Sequence, residues 1–247
     1  MRWWLTAAAA ILIGLGGTAI AQDALTPAQK EAVERLVREV IRTNPEIIME
    51  ALESHDQRQK QAEAQRFVDA LGAQKHAIRS DPNSEVTGNP QGDVTVVEFF
   101  DYRCPYCKQA HTQLQALIKR DPKVRVVLKE FPILGPESLL ASRAAIAARF
   151  QGKYLPLHTA MLETRALNEA VIFRLAADVG LDVERLKSDM SKPEVQAIIA
   201  RNRKLAEMLG ITGTPAFIIG DQLAPGALGV DRLAAMVEEA RTACRTC

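Results

Sequence analysis

Cysteine is scarce in this chain. Its 247 residues hold four, too few for a disulfide-stapled scaffold, so a hydrophobic core must carry the structure. A charge excess is missing as well. Lys plus Arg number 31 against 30 Asp plus Glu, and loss of Arg2 with the leader described next makes them equal. That balance argues against nucleic acid or an anionic membrane as an obligate partner. After the first 21 residues no stretch is apolar enough to cross a bilayer, so the expected mature protein is soluble.

What is present begins with an export signal. Arg2 gives a positive start, Leu5 to Ile20 is apolar, and Ala19-Ile20-Ala21 supplies the small-x-small pattern of a signal peptidase site. Cleavage after Ala21 is expected, with residues 1–21 removed and the remainder delivered to the periplasm. A retained anchor is the alternative, but the run is short for a span of about 20 residues. Export puts the cysteines where disulfides form. They fall into two Cys-x-x-Cys pairs, Cys104/Cys107 and Cys244/Cys247.

Thr26-Pro27-Ala28-Gln29 reads as a capped helix start with proline in the first position. Val33, Leu36, Val37, Val40 and Ile41 follow at helical spacing, with Glu31–Arg35 and Glu34–Arg38 pairs expected on the polar side. Asn44-Pro45-Glu46 starts a second helix carrying Ile47, Ile48, Ala51 and Leu52. Two such helices cannot bury an apolar face by themselves. Either the stripe docks on the downstream domain or it packs against copies of itself, and the polar stretch that follows favours the latter. Residues 22–54 are therefore read as a helical oligomerisation segment and 55–80 as a polar helical linker.

Residues 81–92 are turn-rich and mark the entry to the second domain. Strands are expected at Val94–Phe100, Val124–Leu128 and Ala216–Ile219, with an edge strand near Gln222–Leu223. Helices are expected from the Cys104 motif to about Arg120, in a block over 137–209, and from about Asp231 to Arg241. The fold class is α/β.

Cys104-Pro105-Tyr106-Cys107 lies between a strand end and a helix start. The first sulfur then meets the unpaired amides and positive dipole end of the helix, which lowers its pKa and makes Cys104 the nucleophile. Cys107, one turn in, is the resolving thiol, and Pro105 stiffens the turn. Tyr106 is neutral, so the pair is expected to be only mildly oxidising. A structural disulfide is one rival reading. Half of a zinc site is another, disfavoured because the second cysteine pair is too distant. Glu98 interrupts an apolar strand, where a carboxylate is costly unless it is functional or paired; a solvated strand-edge residue is the bland alternative. Lys129 is its candidate cationic partner. His111 and His158 read as helix surface rather than ligands. Cys244 and Cys247 read first as a local terminal disulfide, then as a copper(I) clip, then as a redox relay.

Residues 94–107 (VTVVEFFDYRCPYC) and the distant Gly213-Thr214-Pro215-Ala216-Phe217 resemble the Dsb thioredoxin-like family. The helical segment that follows the export signal, with Asn-Pro-Glu-Ile-Ile-Met-Glu, is similar to its ScsC/Com1-type branch. The resemblance implies a thioredoxin-like domain over 81–243 with an inserted helical domain at about 137–209, followed by the 244–247 tail. It also implies a cis Thr214–Pro215 bond beside the cysteines, with the Thr214 backbone free to pair with a substrate strand, and a role for Glu98 in proton transfer to and from the resolving thiol. The expected activity is that of a disulfide isomerase or reductase on unfolded or misfolded exported proteins. A homotrimer is implied, recharged by a membrane redox partner of DsbD/ScsB or DsbB type, with no cofactor beyond the redox-active disulfide. A dithiol oxidase and a copper-tolerance protein that binds copper(I) through thiolates remain the alternatives.

Overall fold

The computed structural model describes residues 25–243, so the expected export signal and the Cys244/Cys247 pair lie outside the described residues. The chain divides into two compact units, one through Arg58 and one from Gln59 onward.

In the first unit, α1 (Pro27–Thr43) starts as the residues dictate. The Thr26 hydroxyl accepts from the Gln29 amide at 3.3 Å, and the Thr26 amide donates to Gln29 Oε1 at 2.9 Å. Arg35 pairs with Glu31 at 2.7 Å, whereas Glu34 and Arg38 form no ion pair among the described residues. No residue of α1 is buried. Val33, Leu36, Val37, Val40 and Ile41 all stand exposed, as do Ile47, Ile48, Met49 and Leu52 at the start of α2 (Glu46–Ala73). The polar stretch 55–66 continues α2 as an exposed helix.

The second unit is built on one sheet in the order β1-β3-β2-β4-β5. Its strands are β1 (Glu85–Gly88), β2 (Val94–Phe100), β3 (Val124–Glu130), β4 (Ala216–Ile219) and β5 (Gln222–Pro225). β2 and β3 run parallel, joined by the crossover α4 (Pro105–Arg120), and every other pairing is antiparallel. Alternation along the strands sends their side chains to two cores. Val94, Val96, Phe100, Val126 and Leu128 face α4, the closing α10 (Val230–Ala243) and the inserted helices. Val97, Phe99, Val127 and Ile218 face Leu71 at the end of α2, Ile78 of α3 (Lys75–Arg79) and Leu205 of α9 (Pro193–Met208). Leu71 and Ile78, within the stretch expected to be linker, are thus core residues of this unit.

The inserted block holds α5 (Pro136–Ala148), α6 (Tyr154–Glu163), α7 (Glu169–Asp178), α8 (Val183–Asp189) and α9, with a short 3-10 turn at Arg149–Gln151. The fold is thioredoxin-like α/β with inserted helices and an N-terminal helical extension. Two small elements were not anticipated, α3 and β1. β4 turns into β5 through Gly220-Asp221; Gly220 has φ +57°, and a Cβ there would lie 2.9 Å from that of Ala240.

Candidate active site

β2 ends at Phe100, and the next four residues turn the chain into α4. Cys104 occupies the N-cap with extended backbone angles (φ −72°, ψ 117°), and Pro105 follows in the first turn, where no amide partner is needed. The Cys104 carbonyl accepts from the Cys107 amide at 3.1 Å and the Lys108 amide at 3.2 Å. Both sulfurs are free thiols, Cys107 fully buried and Cys104 nearly so, whereas Tyr106 projects outward.

The pair is split in acidity. The Cys104 pKa falls to about 6, held down chiefly by a hydrogen bond from the Cys107 side chain. The Thr214 side chain and the backbone amides of Cys107 and Tyr106 add to this against the opposing effect of burial. The amide ends of the helix thus contribute, but the second thiol is the stronger donor. Cys107 moves far in the other direction, because burial and its bond to Cys104 favour its protonated form. The Asp101 amide donates to Cys107 Sγ at 3.4 Å.

Thr214 and Pro215 stand against the pair. The Thr214–Pro215 peptide is cis, as expected. The Cys104 thiol donates to the Thr214 carbonyl at 3.3 Å. Pro215 leads directly into β4, and its own carbonyl accepts from the Gly226 amide at 2.8 Å.

Glu98 lies on β2 opposite Leu128 and Phe217. It is fully buried, neither carboxyl oxygen has a hydrogen-bond partner, and burial followed by the charge of Cys104 raises its pKa to about 8. The strand-edge reading is therefore excluded. Its charge in turn raises Cys107, so the two groups sense each other.

Lys129 is not its partner. In the β2–β3 register Lys129 stands opposite Phe99, so its side chain leaves the sheet on the other face. There its ammonium donates to the Ala77 carbonyl at 2.6 Å and Ser84 Oγ at 2.7 Å and lies 3.8 Å from Asp81. Burial lowers its pKa to about 8. The two histidines also differ from expectation, since both are buried. His158 stacks on Tyr154, meets Tyr102 through Nδ1 at 3.0 Å, and is kept neutral by burial, its pKa falling to about 3. His111 packs edge-on against it.

Several site residues gave no signal in the sequence. Asp101, fully buried, accepts from the amides of Arg103 (2.8 Å), Ile133 (2.8 Å) and Leu134 (3.0 Å) and from Ser138 Oγ (2.8 Å). Its own carbonyl accepts from the Cys104 amide at 3.1 Å. One residue thus fixes both cysteines and the exposed Ile133-Leu134 loop. Glu130, also buried, accepts from Tyr102 (3.0 Å), Tyr154 (2.6 Å) and Ser142 (2.7 Å), and burial raises its pKa to about 8. Lys108 ties α4 to the end of α6 through the Thr164 and Met161 carbonyls at 2.6 and 3.1 Å. Among the described residues, no group of three or more His, Cys, Asp or Glu could hold a metal ion.

An acidic, helix-capping cysteine hydrogen-bonded to a buried partner one turn on, with a cis-proline loop against the pair, defines a thioredoxin-fold dithiol protein. The sequence narrows that class: the DSBA-like thioredoxin domain model matches residues 95–238, and the chain belongs to that family. Residues 29–62 match the model of the copper resistance protein ScsC N-terminal domain. A thioredoxin-like oxidoreductase from Silicibacter pomeroyi is 49% identical, over 68% of this chain and 98% of its own, with a TM-score of 0.67. ScsC of Proteus mirabilis, in a transitional conformation, is 30% identical over 89% of this chain and all of its own, with a TM-score of 0.66. Na(+)/H(+) antiporter NhaA 3 of Salinispora tropica is 30% identical over 74% of this chain. The chain spans only 25–29% of the length of that antiporter and of two others it matches.

Proposed function

We propose that this protein is a periplasmic thiol–disulfide oxidoreductase that reshuffles or reduces disulfides in exported proteins. The observation that carries the reading is the split between the two sulfurs. With a pKa of about 6, Cys104 is mostly thiolate at neutral pH, and Cys107 is held as a buried thiol. An attacking thiol is most effective when its pKa lies near the ambient pH.

The Cys104 thiolate attacks one sulfur of a substrate disulfide. A mixed disulfide forms and the second substrate sulfur leaves as thiolate. In isomerisation a different client thiolate attacks the client sulfur of the mixed disulfide, forming a new client disulfide and returning the Cys104 thiolate with no net redox change. In reduction Cys107 gives up its proton and attacks Cys104 Sγ. The pair is oxidised by two electrons, and the client departs with both sulfurs reduced. Glu98 is the group to take the Cys107 proton. The Cys104 thiolate helps keep its carboxyl protonated; once that sulfur is in a neutral mixed disulfide the repulsion is gone and Glu98 moves toward the basic form. Thr214 beside Cys104 offers backbone for pairing with an extended client segment. Exposed Tyr106, Ile133 and Leu134 supply apolar contact.

The exposed stripe of α1 and early α2 supports self-association, with a trimer as the proposed state. Several active sites would then meet one client at high effective concentration. Leu36→Glu with Val40→Glu is expected to yield monomers by sedimentation. A membrane redox partner would restore the dithiol.

Scrambled ribonuclease without added oxidant tests the direction of flow. The reduced protein is expected to restore ribonuclease activity, and Cys104→Ser to lose it by at least about 10²-fold, since removing a nucleophile leaves no covalent route. Failure of the reduced form, with rapid oxidation of dithiols by the disulfide form, would move the assignment to an oxidase. The match to a copper resistance domain supports a second reading, copper(I) held by soft thiolates. Stoichiometric copper(I) binding that Cys104→Ser abolishes would place it at this pair, and binding that survives would move it to Cys244 and Cys247.

A further inference from the structure

At the end of the sheet away from Cys104 lies a cavity of about 350 Å3, walled by Lys75, His76, Arg79, Ser80, Thr95 and Arg125. Thr95 and Arg125 are register partners at the starts of β2 and β3, and α3 supplies Lys75, His76 and Arg79. Every wall residue carries a hydrogen-bond donor, most are basic, and no carboxylate lines the space.

Two of these cations are not ordinary surface residues. Arg79 is buried; its Nη2 donates to the Gly220 carbonyl and reaches Asp221, itself largely solvent-exposed, at 3.4 Å. Arg125 is half-buried, donates to the Arg79 carbonyl at 2.7 Å, and has no carboxylate partner among the described residues. Burial lowers its pKa, with no acid nearby to oppose the effect. A guanidinium carries five N–H donors, and these contacts occupy one nitrogen of each. The side chains of Lys75 and His76 at the rim, and the hydroxyls of Ser80 and Thr95, bond to no described residue.

A half-buried guanidinium without a carboxylate partner, beside a buried one whose acid partner is the solvent-exposed Asp221, is costly, and the cost falls when an anion enters. Two planar forks with a rim lysine and hydroxyls suit a compact oxyanion with several acceptor oxygens. We propose that this cavity binds a phosphate-type oxyanion, either the free ion or the headgroup of an anionic phospholipid. The even charge of the whole chain is compatible with such local clustering, because screening confines each site to its neighbours within about 8 Å at physiological salt. The site is separate from the redox pair. Thr95 and Phe100 alone are about 16 Å apart along β2, with Cys104 beyond.

The full chain is titrated with sodium phosphate at constant ionic strength, followed by amide chemical shifts, with chloride as the control. Saturable one-to-one binding is expected, with shifts centred on residues 75–80, 95 and 125. Arg125→Gln should weaken it at least about tenfold, the usual loss for one charge-assisted hydrogen-bonding group. Lys75→Gln with His76→Gln, both at exposed positions that leave the core intact, should weaken it by a few fold, and disulfide exchange should be unchanged in every variant. Co-sedimentation with phosphatidylglycerol but not phosphatidylcholine vesicles, lost in Arg125→Gln, assigns the ligand to lipid. Phosphate binding without vesicle binding assigns the free ion. No saturable binding in either arm, or binding that neither the Arg125 nor the Lys75/His76 variant weakens, overturns the proposal.

Discussion

Glu98 and Glu130 sit on the same face of neighbouring strands, both buried and both with pKa values pushed up to about 8 by burial. Their surroundings could hardly differ more. Three hydroxyls converge on Glu130, and His158 backs one of them. Neither oxygen of Glu98 has any partner, and its next electrostatic neighbour is a reactive sulfur. A similar affinity for the proton therefore hides two different jobs. A carboxyl enclosed by donors fixes the packing of the inserted helices on the sheet, whereas one left without them suits the proton-transfer role proposed for Glu98.

The largest effect should come from breaking the enclosed member. Glu130→Leu strands the hydroxyls of Tyr102, Tyr154 and Ser142 and should cost about 3–5 kcal/mol in denaturant unfolding, the range for losing one side of a buried polar network. The same change at Glu98 should act oppositely on stability. Glu98→Leu removes an unpartnered buried carboxyl and should raise stability by about 1–3 kcal/mol, yet slow release of the Cys104 mixed disulfide by about 10²-fold, as loss of a general base does. Equal destabilisation by the two variants would erase the distinction.

Titration sharpens it further. Each carboxyl has a folded pKa above its unfolded value, so folding takes up a proton between about pH 4.5 and 8, and stability falls as pH rises through that window by about 1.4 kcal/mol per unit for each group. Below the window both states hold the proton and the slope vanishes. Glu98→Gln and Glu130→Gln should each remove one proton from the measured slope. The smallest effect separates them. Because the Cys104 charge raises Glu98 and not Glu130, replacing Cys104 by Ser should lower the Glu98 midpoint in carboxyl infrared or NMR titration and leave that of Glu130 in place.

Much of this was legible in the residues. Caps and prolines marked α1, α2 and α4, apolar runs marked the central strands, and the Cys-Pro-Tyr-Cys motif with its distant Thr-Pro located the site. β1 and α3 were hidden because each is short and flanked by Asp, Asn, Pro and Gly, so tertiary pairing with β3 and packing against the sheet outweigh local turn chemistry. The histidines could have been placed correctly. His111 falls four residues after Cys107 and three before Leu114, and His158 stands among Tyr154, Leu157, Met161 and Leu162, all on buried stripes. Lys129 could not, because which face it takes depends on the register between β2 and β3, and a shift of one residue reverses the answer. Asp101 and Glu130 acquire their partners from segments far along the chain, which spacing alone does not reveal.

The clasp made by Asp101 has a mechanical consequence. Its side chain pins the loop at Ile133 and Leu134, while its main chain grips both cysteines. Under the proposed function, a client settling on those two residues would lean on the same fulcrum that aims the sulfurs, so that docking and reactivity would move on one lever.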